Sequence, residues 1–577
     1  MRRSATRLLV RTGRQGGLWV FVLAVNVLVL SAAEAVLPAV LGRTIDGVVG
    51  RGAAEHWLLW SALVIAVLVL CDVTDELGEA ASTARSTAWL RRTTVHHLLS
   101  VKLRSLDRLS PGELVTRVVG NTADSGGVAP DIISGVTSLL LAVAGVIALA
   151  LIDPWLCLTF LAGMPLLTLM LWAFARDASE QIERYLETQG VIASRLLQAL
   201  QGARTISAAG TTERETRRVL EPLEDLHRHG KGMWRAVTRI TAQDTLLLSL
   251  LEIAVLAVAG VELARGRISP GELFAASQYV VLASSSSGAV SSLLGLIRER
   301  AAVTRVDDIL RLPVAVYGER TLEPGPGRLD VRGVTVRVGG RVVLDDISLA
   351  VPGGSLVAVV GRSGAGKSQF AWLVGRLVEP DEGVVLLDGM SLAEIDRRSL
   401  RRSIGYGFER PSLIGETFSD AIAFGTDEPS DHRVTEAARD AHAEAFIRRM
   451  PSGFQTRLED APMSGGEVQR VGLARTFAHA QRVLVLDDVA ASLDTVTEHE
   501  ISRALTGAMS DLTRILVAHR VSTAARADTV LWLENGRVRG LAPHHALWSE
   551  PSYRAVFEAD AGHAPALPVG TGVSETP

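Results

Sequence analysis

Cysteine, lysine and aromatic residues are scarce in this chain of 577 residues, and each scarcity narrows what the protein can do. The two cysteines, Cys71 and Cys157, lie in apolar stretches, where they behave as small hydrophobic side chains and not as a disulfide or metal-binding pair. Aromatic residues make up 5% of the chain and the formal net charge is −4, so the sequence has no basic surface interleaved with aromatic side chains. Neither redox chemistry nor nucleic-acid binding is indicated.

Lysine is the rarest charged residue, and one lysine stands in a glycine-rich segment. Lys367 belongs to the loop that follows the apolar run Leu356–Val360. The N–H groups of such a loop turn onto phosphate oxygens, its lysine reaches the terminal phosphates, and the next hydroxyl binds Mg²⁺ at the start of a helix. A glycine-rich turn that binds nothing is the alternative, which the order of strand, loop and helix disfavours. We predict a nucleotide-phosphate site formed by Gly361, Arg362, Ser363, Gly364, Ala365, Gly366, Lys367 and Ser368.

Long apolar runs are frequent in the first half of the chain. Hydrophobic residues make up 48% of the sequence and the mean hydropathy is +0.26, which is high for a soluble enzyme. Each run approaches the ~20 residues that are needed to cross a bilayer. The runs therefore predict six membrane spans, at 17–42, 57–80, 131–152, 155–176, 243–264 and 272–297.

The stretch before the first apolar run is basic, with Arg2, Arg3, Arg7, Arg11 and Arg14 and no acidic residue. By the positive-inside rule, this predicts an N-terminus in the cytoplasm. A cleaved signal peptide is the alternative, and the length of the first apolar run disfavours it. Six crossings would return the chain to the cytoplasm near Arg298, so the phosphate loop would face cytoplasmic ATP.

The composition changes near Leu310, and the stretch Glu323–Gly327 is rich in proline and glycine. Beyond it, strand and helix patterns alternate, which indicates an α/β domain. The last residues are rich in proline, glycine, serine and threonine and are predicted to be disordered. We predict a transmembrane domain at 1–310, a linker at 311–328, a nucleotide-binding domain at 329–560 and a disordered tail at 561–577.

Two polar segments, 81–130 and 177–240, separate span two from span three and span four from span five. Their periodic Glu/Arg patterns predict spans that continue as helices past the membrane, with short polar elbows at 110–121 and 208–215. We expect these elbows to dock on the nucleotide domain. The alternative is that both segments are ordinary solvated helix faces.

A second set of motifs follows the phosphate loop. The segment Met463-Ser-Gly-Gly-Glu467 gives a helix N-terminus whose free N–H groups suit a phosphate anion, and the apolar strand Val483–Leu486 ends in Asp487 and Asp488. In this order and spacing, the motifs resemble those of an ABC transporter half of the exporter type. The resemblance covers the whole chain and implies a membrane all-α six-helix ABC exporter domain plus an α/β P-loop NTPase domain.

The resemblance implies ATP and Mg²⁺ as cofactors and gives each motif a role. Asp487 is similar to the carboxylate that holds Mg²⁺ together with Ser368, and Asp488 takes the place of the catalytic carboxylate that polarises the attacking water. His519 is similar to the switch histidine at the γ-phosphate, and Asp494 to the aspartate of the D-loop. The signature residues Ser464, Gly465, Gly466 and Glu467 would contact ATP bound to a second cassette.

Three positions depart from the family's pattern, and all three weaken this chain's own ATP site. Val338 stands where the family stacks an aromatic ring on adenine, which forfeits about 1–3 kcal/mol. Glu409 replaces the glutamine that faces Mg²⁺ and becomes a candidate catalytic or metal-binding residue. Asp488 replaces a glutamate and is shorter by about 1.5 Å. Because the signature is largely intact, we expect a heterodimer with a second ABC half-transporter; a homodimer in which Asp488 and Glu409 work is the alternative.

The resemblance further implies ATP hydrolysis coupled to transmembrane export, in the plasma membrane of a bacterium. An importer on the same fold, as in some siderophore uptake systems, and an ATP-gated sensor or channel component are the alternatives. The substrate is not identified by the residues. The sequence around the signature is similar to half-transporters that accompany modified-peptide biosynthesis in actinobacteria, so a small amphipathic molecule or a modified peptide is expected.

Two acidic residues, Glu34 and Glu252, lie inside predicted spans. Ionisable groups are costly in lipid, so we expect both to face a wet translocation cavity, where they would favour cationic or amphipathic substrates. The alternative is a hydrogen bond between helices made by a protonated acid.

Overall fold

The computed structural model describes residues 2–50, 54–106, 109–426, 430–489 and 495–561. The chain forms two compact units. The first comprises residues 1–99 and 109–311, and the second comprises residues 100–108 and 312–577.

The described residues of the first unit are helical almost throughout. In chain order, with α4 belonging to the second unit, the helices are α1 (Arg2–Arg14), α2 (Leu18–Val49), α3 (Ala54–Leu98), α4 (Leu103–Leu106), α5 (Pro111–Val115), a π-helical turn (Thr116–Asn121), α6 (Thr122–Asp124), α7 (Val128–Ile152), α8 (Pro154–Gln201), α9 (Ala203–Ala208), α10 (Thr212–Leu220), α11 (Leu223–Ala264), α12 (Pro270–Ala283) and α13 (Ser286–Leu310).

Three of these helices are much longer than a bilayer requires. Helices α3, α8 and α11 contain 45, 48 and 42 residues. At about 1.5 Å per residue each exceeds 60 Å, roughly twice the ~30 Å hydrocarbon core. The polar segments that the sequence analysis assigned to extensions of the spans fall within these helices and the short helices next to them.

Four helical segments in the described part of the chain are long and apolar enough to cross a membrane: Leu18–Val49, Glu55–Leu98, Pro111–Ile152 and Thr245–Ala264. The predicted span at 155–176 begins in the shorter apolar segment Pro154–Pro165 and continues into positions whose side chains lie outside the description. The predicted span at 272–297 falls on α12 and α13, which are interrupted at Ser284. Six spans therefore remain a prediction.

The helices of the first unit pack in close pairs, α2 with α3, α7 with α13 and α8 with α11. At the contact of α7 with α12, a Cβ on Gly145 would lie 2.5 Å from the backbone nitrogen of Ala283, so this approach requires glycine. Large apolar side chains point outward, and Leu59 and Leu151 are 72% and 81% exposed. An apolar outer surface of this kind fits a lipid environment.

The second unit contains two sheets and the helices around them. Its further elements are β1 (Leu329–Val338), β2 (Arg341–Val351), β3 (Leu356–Val360), α14 (Lys367–Val374), β4 (Glu382–Leu387), β5 (Met390–Ser391), α15 (Arg397–Ser403), β6 (Ile404–Gly407), α16 (Phe418–Ala423), α17 (Asp431–Asp440), α18 (Glu444–Ile447), two 3₁₀ turns (Gly453–Gln455 and Leu458–Asp460), α19 (Gly465–His479), β7 (Val483–Leu486), α20 (Thr495–Thr506), β8 (Thr513–Val517), α21 (Val521–Ala524), β9 (Thr529–Glu534), β10 (Arg537–Ala542), α22 (His544–Leu547) and α23 (Pro551–Ala561).

The sheet topology determines where the functional loops meet. The four-stranded sheet has the order β2-β1-β4-β5, and the six-stranded sheet has the order β10-β9-β3-β8-β7-β6. Strands β9, β3, β8, β7 and β6 are parallel, and hydrophobic clusters cover both faces of this sheet. Parallel strands are buried on both sides, which explains the continuous apolar run of β3. The loops after β3, β8, β7 and β6 all leave the same edge.

The segment Ser100–Arg108 belongs to the second unit although it lies between helices of the first. Val101 bridges to Val314, and the backbone N–H of Lys102 donates to the carbonyl oxygen of Pro313 at 3.0 Å. The Lys102 ammonium lies 2.5 Å from Glu379 Oε2. The sequence analysis had placed the docking elbow slightly later, at 110–121, which belongs to the first unit.

Candidate functional site: the nucleotide-binding edge of the sheet

The predicted phosphate loop connects the buried strand β3 to helix α14. Gly364 and Gly366 have φ of 80° and 98°, which L-residues with side chains rarely adopt. A Cβ on Gly366 would also lie 2.8 Å from Leu344 Cδ2. The Lys367 ammonium donates to the carbonyl oxygen of Gly361 at 2.7 Å, so the loop holds the lysine at its own rim.

The start of α14 meets the end of β7 at the predicted magnesium position. The Ser368 hydroxyl donates to Asp487 Oδ1 at 3.0 Å, and the Tyr406 hydroxyl donates to Asp487 Oδ2 at 3.3 Å. Burial raises the pKa of Asp487 and also that of Tyr406. Oxygen ligands of this type suit Mg²⁺, whose charge would offset the cost of a buried carboxylate. The residues present therefore fit the metal that the resemblance implies.

The predicted catalytic pair comes together at the same edge. Asp488 follows β7 and His519 follows the adjacent strand β8, and His519 Nε2 lies 3.7 Å from Asp488 Oδ2. Asp488 has φ of 48°, a left-handed conformation that aspartate tolerates better than most residues. A cavity of about 160 Å³ adjoins the pair and is also lined by Glu498 and Thr523. The arrangement can orient a small polar molecule between a carboxylate and an imidazole.

Glu409, the third predicted catalytic residue, is placed differently. It follows β6, its side chain is 55% exposed, and its Oε1 lies 3.7 Å from Arg410 Nε. The hydrogen bonds of the described residues join Ser368 and Asp487 to each other but not to Glu409. A role of Glu409 at Mg²⁺ therefore remains a prediction.

Val338 ends β1 in the four-stranded sheet, where it pairs with Arg341 and is 40% exposed. An exposed valine offers an adenine ring an apolar contact but no aromatic stacking. Asp494, the predicted D-loop aspartate, lies outside the described residues.

The signature residues begin helix α19. Ser464 is its N-cap, and the Ser464 N–H and hydroxyl both donate to Glu467 Oε2 at 2.8 Å, as part of a reciprocal capping box. A Cβ on Gly465 would meet no atom within 4 Å, so the space over this helix start is open. The terminus is therefore well ordered and accessible to an anion. Helix α19 packs on α16 and α17.

Sequence reasoning missed two side chains that connect these motifs. Tyr406 contacts Asp487 because β6 and β7 are adjacent, with Gly407 opposite Leu486. Gln469, on the signature helix, is buried and donates to the carbonyl oxygen of Phe408 at 3.0 Å. Both residues lie within or beside segments that the sequence analysis singled out. Their roles depend on strand order, which local patterns do not contain.

The predicted acids of the first unit do not share one helix pair. Glu34 lies on α2, which packs on α3, and Asp72 of α3 acts on it electrostatically. Glu252 lies on α11, which packs on α8 and α12. The sequence analysis also missed further acids on α3, at positions 72, 75, 76 and 79, whose spacing places them along one helix face.

Comparison with known families settles what this arrangement is. Residues 344–491 match the family described as ABC transporter, and residues 20–287 match the ABC transporter transmembrane region. The chain belongs to the ABC transporter family. It has the half-transporter architecture, one membrane domain fused to one ATP-binding domain, and its activity is ATP hydrolysis coupled to transport.

Three relatives show the range of the similarity. The ABC transporter ATP-binding protein RamA of Streptomyces coelicolor is 46% identical over 93% of this chain and 85% of its own length. The ATP-dependent lipid A-core flippase of Pseudomonas fluorescens is 30% identical over 83% of this chain and 80% of its own length. A fatty acid ABC transporter ATP-binding/permease protein of Mycobacterium bovis is 30% identical over 77% of this chain and 71% of its own length. These relatives indicate a bacterial cell-membrane protein.

Proposed function

We propose that this chain is one half of a dimeric ABC exporter that moves an amphipathic substrate out of the bacterial cytoplasm. A small amphipathic molecule and a modified peptide both fit this class. Lipid A core and fatty acids, which appear in the names of two relatives, are amphipathic, and this supports the substrate class. The N-terminal arginines support a cytoplasmic N-terminus, and an even number of spans places the ATP-binding domain on the same side.

The partner is a second, different ABC half-transporter. The observation that carries this proposal is the residue after Asp487, an aspartate that lies 3.7 Å from His519 Nε2 and lacks the reach of a glutamate. A carboxylate withdrawn by about 1.5 Å is poorly placed to act on water, since an error of about 1 Å can cost on the order of 10²-fold in rate. Val338 and the exposed Glu409 weaken the same site, whereas the N-terminus at Ser464 is capped and open.

The residues then divide the work between two ATP sites. The phosphate loop, Lys367 and Ser368 hold ATP on this chain, and Asp487 fixes the Ser368 hydroxyl. Mg²⁺, when bound, supplies Lewis-acid stabilisation of the phosphoryl oxygens. Asp488 and His519 orient water slowly at this site. The N–H groups at Ser464 close the partner's site, which bears the faster carboxylate.

Transport into everted membrane vesicles tests the proposed direction. An exporter accumulates its substrate in such vesicles when ATP is added, and Lys367→Ala provides the matched control without ATP binding. ATP-dependent loss of preloaded substrate would indicate an importer instead. If neither occurs while ATP is hydrolysed, the chain is a sensor or channel component and the export proposal is wrong.

A further inference from the structure

Two carboxyl groups lie between helices α7 and α13, far from any residue of the ATP site in sequence. Glu299 of α13 is 2% exposed, and among the described residues its buried Oε2 has no hydrogen-bond partner. Asp131 of α7 is half-buried and acts electrostatically on Glu299. An ionised carboxylate without a hydrogen-bond donor is costly to bury, so this pair needs an explanation.

The two helices approach each other through glycines at this point. A Cβ on Gly127 would lie 2.7 Å from Glu299 Oε1, and a Cβ on Gly295 would collide with Asp131 Oδ2. Each carboxyl group therefore lies over a glycine of the opposite, antiparallel helix, one turn from its neighbour. Contacts of small residues continue along the pair, where a Cβ on Gly135 would lie 3.2 Å from Ser292 Cβ. The close packing fixes both acids in the interface.

Few charges compensate this pair. Arg298, next to Glu299, acts on both carboxyl groups. From α3, Glu79 adds a further negative charge that interacts with Asp131. The charged side chains of the other elements packed against α13 are directed elsewhere: Arg11 of α1 lies over Trp89, Arg117 of the π-helical turn pairs with Glu113, and Arg14 of α1 and Asp124 of α6 are exposed.

Two like charges in one buried site cannot both be ionised without a large cost, so one group keeps its proton. Glu299 lies beyond the predicted end of the sixth span. Burial, followed by the charge of Asp131, raises the pKa of Glu299 to about 8. Separation of the helices would remove both causes and return the group to the ordinary range of a glutamate.

We propose that Glu299 and Asp131 form a proton-binding site, which holds one proton while α7 and α13 are packed and releases it to water when they separate. On release, the O–H bond of the Glu299 carboxyl group breaks and water accepts the proton. Alkaline pH therefore favours the separated arrangement, and acid pH favours the packed one. This site does not depend on the proposed heterodimer or on the direction of transport.

Infrared spectroscopy of the full-length transporter in lipid tests the site directly. A protonated carboxylic acid gives a carbonyl-stretch band that carboxylates lack, and this band should titrate near pH 8 in the wild type. Glu299→Gln, which imitates the protonated acid, should remove the titrating band. Glu262→Gln is the matched control, because Glu262 is also 2% exposed but is ion-paired with Arg265 at 2.8 Å and Arg267 at 3.2 Å. The control should leave the titrating band in place.

Thermal unfolding gives a second readout. An acid whose pKa is raised in the folded state stabilises least once it is ionised, so the Tm of the wild type should fall relative to Glu299→Gln as pH rises to about 8, and stay parallel above it. A titrating infrared band that survives Glu299→Gln would overturn the proposal. A difference in Tm between the two proteins that does not change with pH would do the same.

Discussion

Lengthening Asp488 by one methylene measures how far this chain's ATP site falls short of a competent one. Asp488→Glu extends the carboxylate by about 1.5 Å toward the water that it must polarise. If misplacement of about 1 Å costs on the order of 10²-fold, the substitution should raise hydrolysis at this site by up to about 10²-fold, equivalent to about 2.7 kcal/mol in activation free energy. The His519 side chain, 3.7 Å away, can still contact the longer carboxylate.

The assay must isolate this site from the partner's. Ser464→Arg places a bulky charge in the helix start that closes the partner's site, so hydrolysis by the purified complex in that background reports on the Asp488 site. Asp488→Asn in the same background is the matched control and should remove the residual activity. An equal or lower rate after Asp488→Glu would refute the reasoning that the aspartate is too short.

Three further substitutions test the other parts of the account. Lys367→Ala removes a charge-assisted contact worth about 1.5–3 kcal/mol, so photolabelling of this chain by an azido-ATP analogue should fall at least about tenfold while assembly persists; undiminished labelling would count against the phosphate loop. Glu34→Gln and Glu252→Gln should reduce transport and substrate-stimulated hydrolysis if these acids face the cavity, and no change in either measurement removes that role. Gly366→Ala should lower the Tm, since it forces a side chain into φ of 98° and against Leu344 at 2.8 Å, whereas Gly465→Ala, whose Cβ meets nothing within 4 Å, should not.

The ATP-binding motifs could be predicted from sequence because each is local. A glycine-rich loop after an apolar strand, or two carboxylates at the end of another, has one geometry that follows from chain order. The meeting of Asp488 with His519 also followed, since parallel strands end at one edge. The contact of Tyr406 with Asp487 did not, because it depends on which strand lies beside β7.

The membrane domain was harder to predict because lipid-facing and helix-facing positions are both apolar. Hydropathy located the long helices but not their pairing, so the approach of Asp131 to Glu299 across α7 and α13 left no sign in the sequence. The boundary of the docking segment was also misplaced. Its polar residues fit an elbow at several positions, and only the ion pair of Lys102 with Glu379 distinguishes Ser100–Arg108.

The central claim is that this chain holds one slow ATP site and completes one fast site on a different partner. Comparing Asp488→Asn with Ser464→Arg in the purified complex tests it most directly, with total ATP turnover as the measurement. Asp488→Asn removes a carboxylate that is already poorly placed, so turnover should fall only modestly, whereas Ser464→Arg should remove most of it. In a homodimer both substitutions strike both sites. Equal and near-total loss for the two variants would contradict the account and make Asp488 the working catalytic carboxylate.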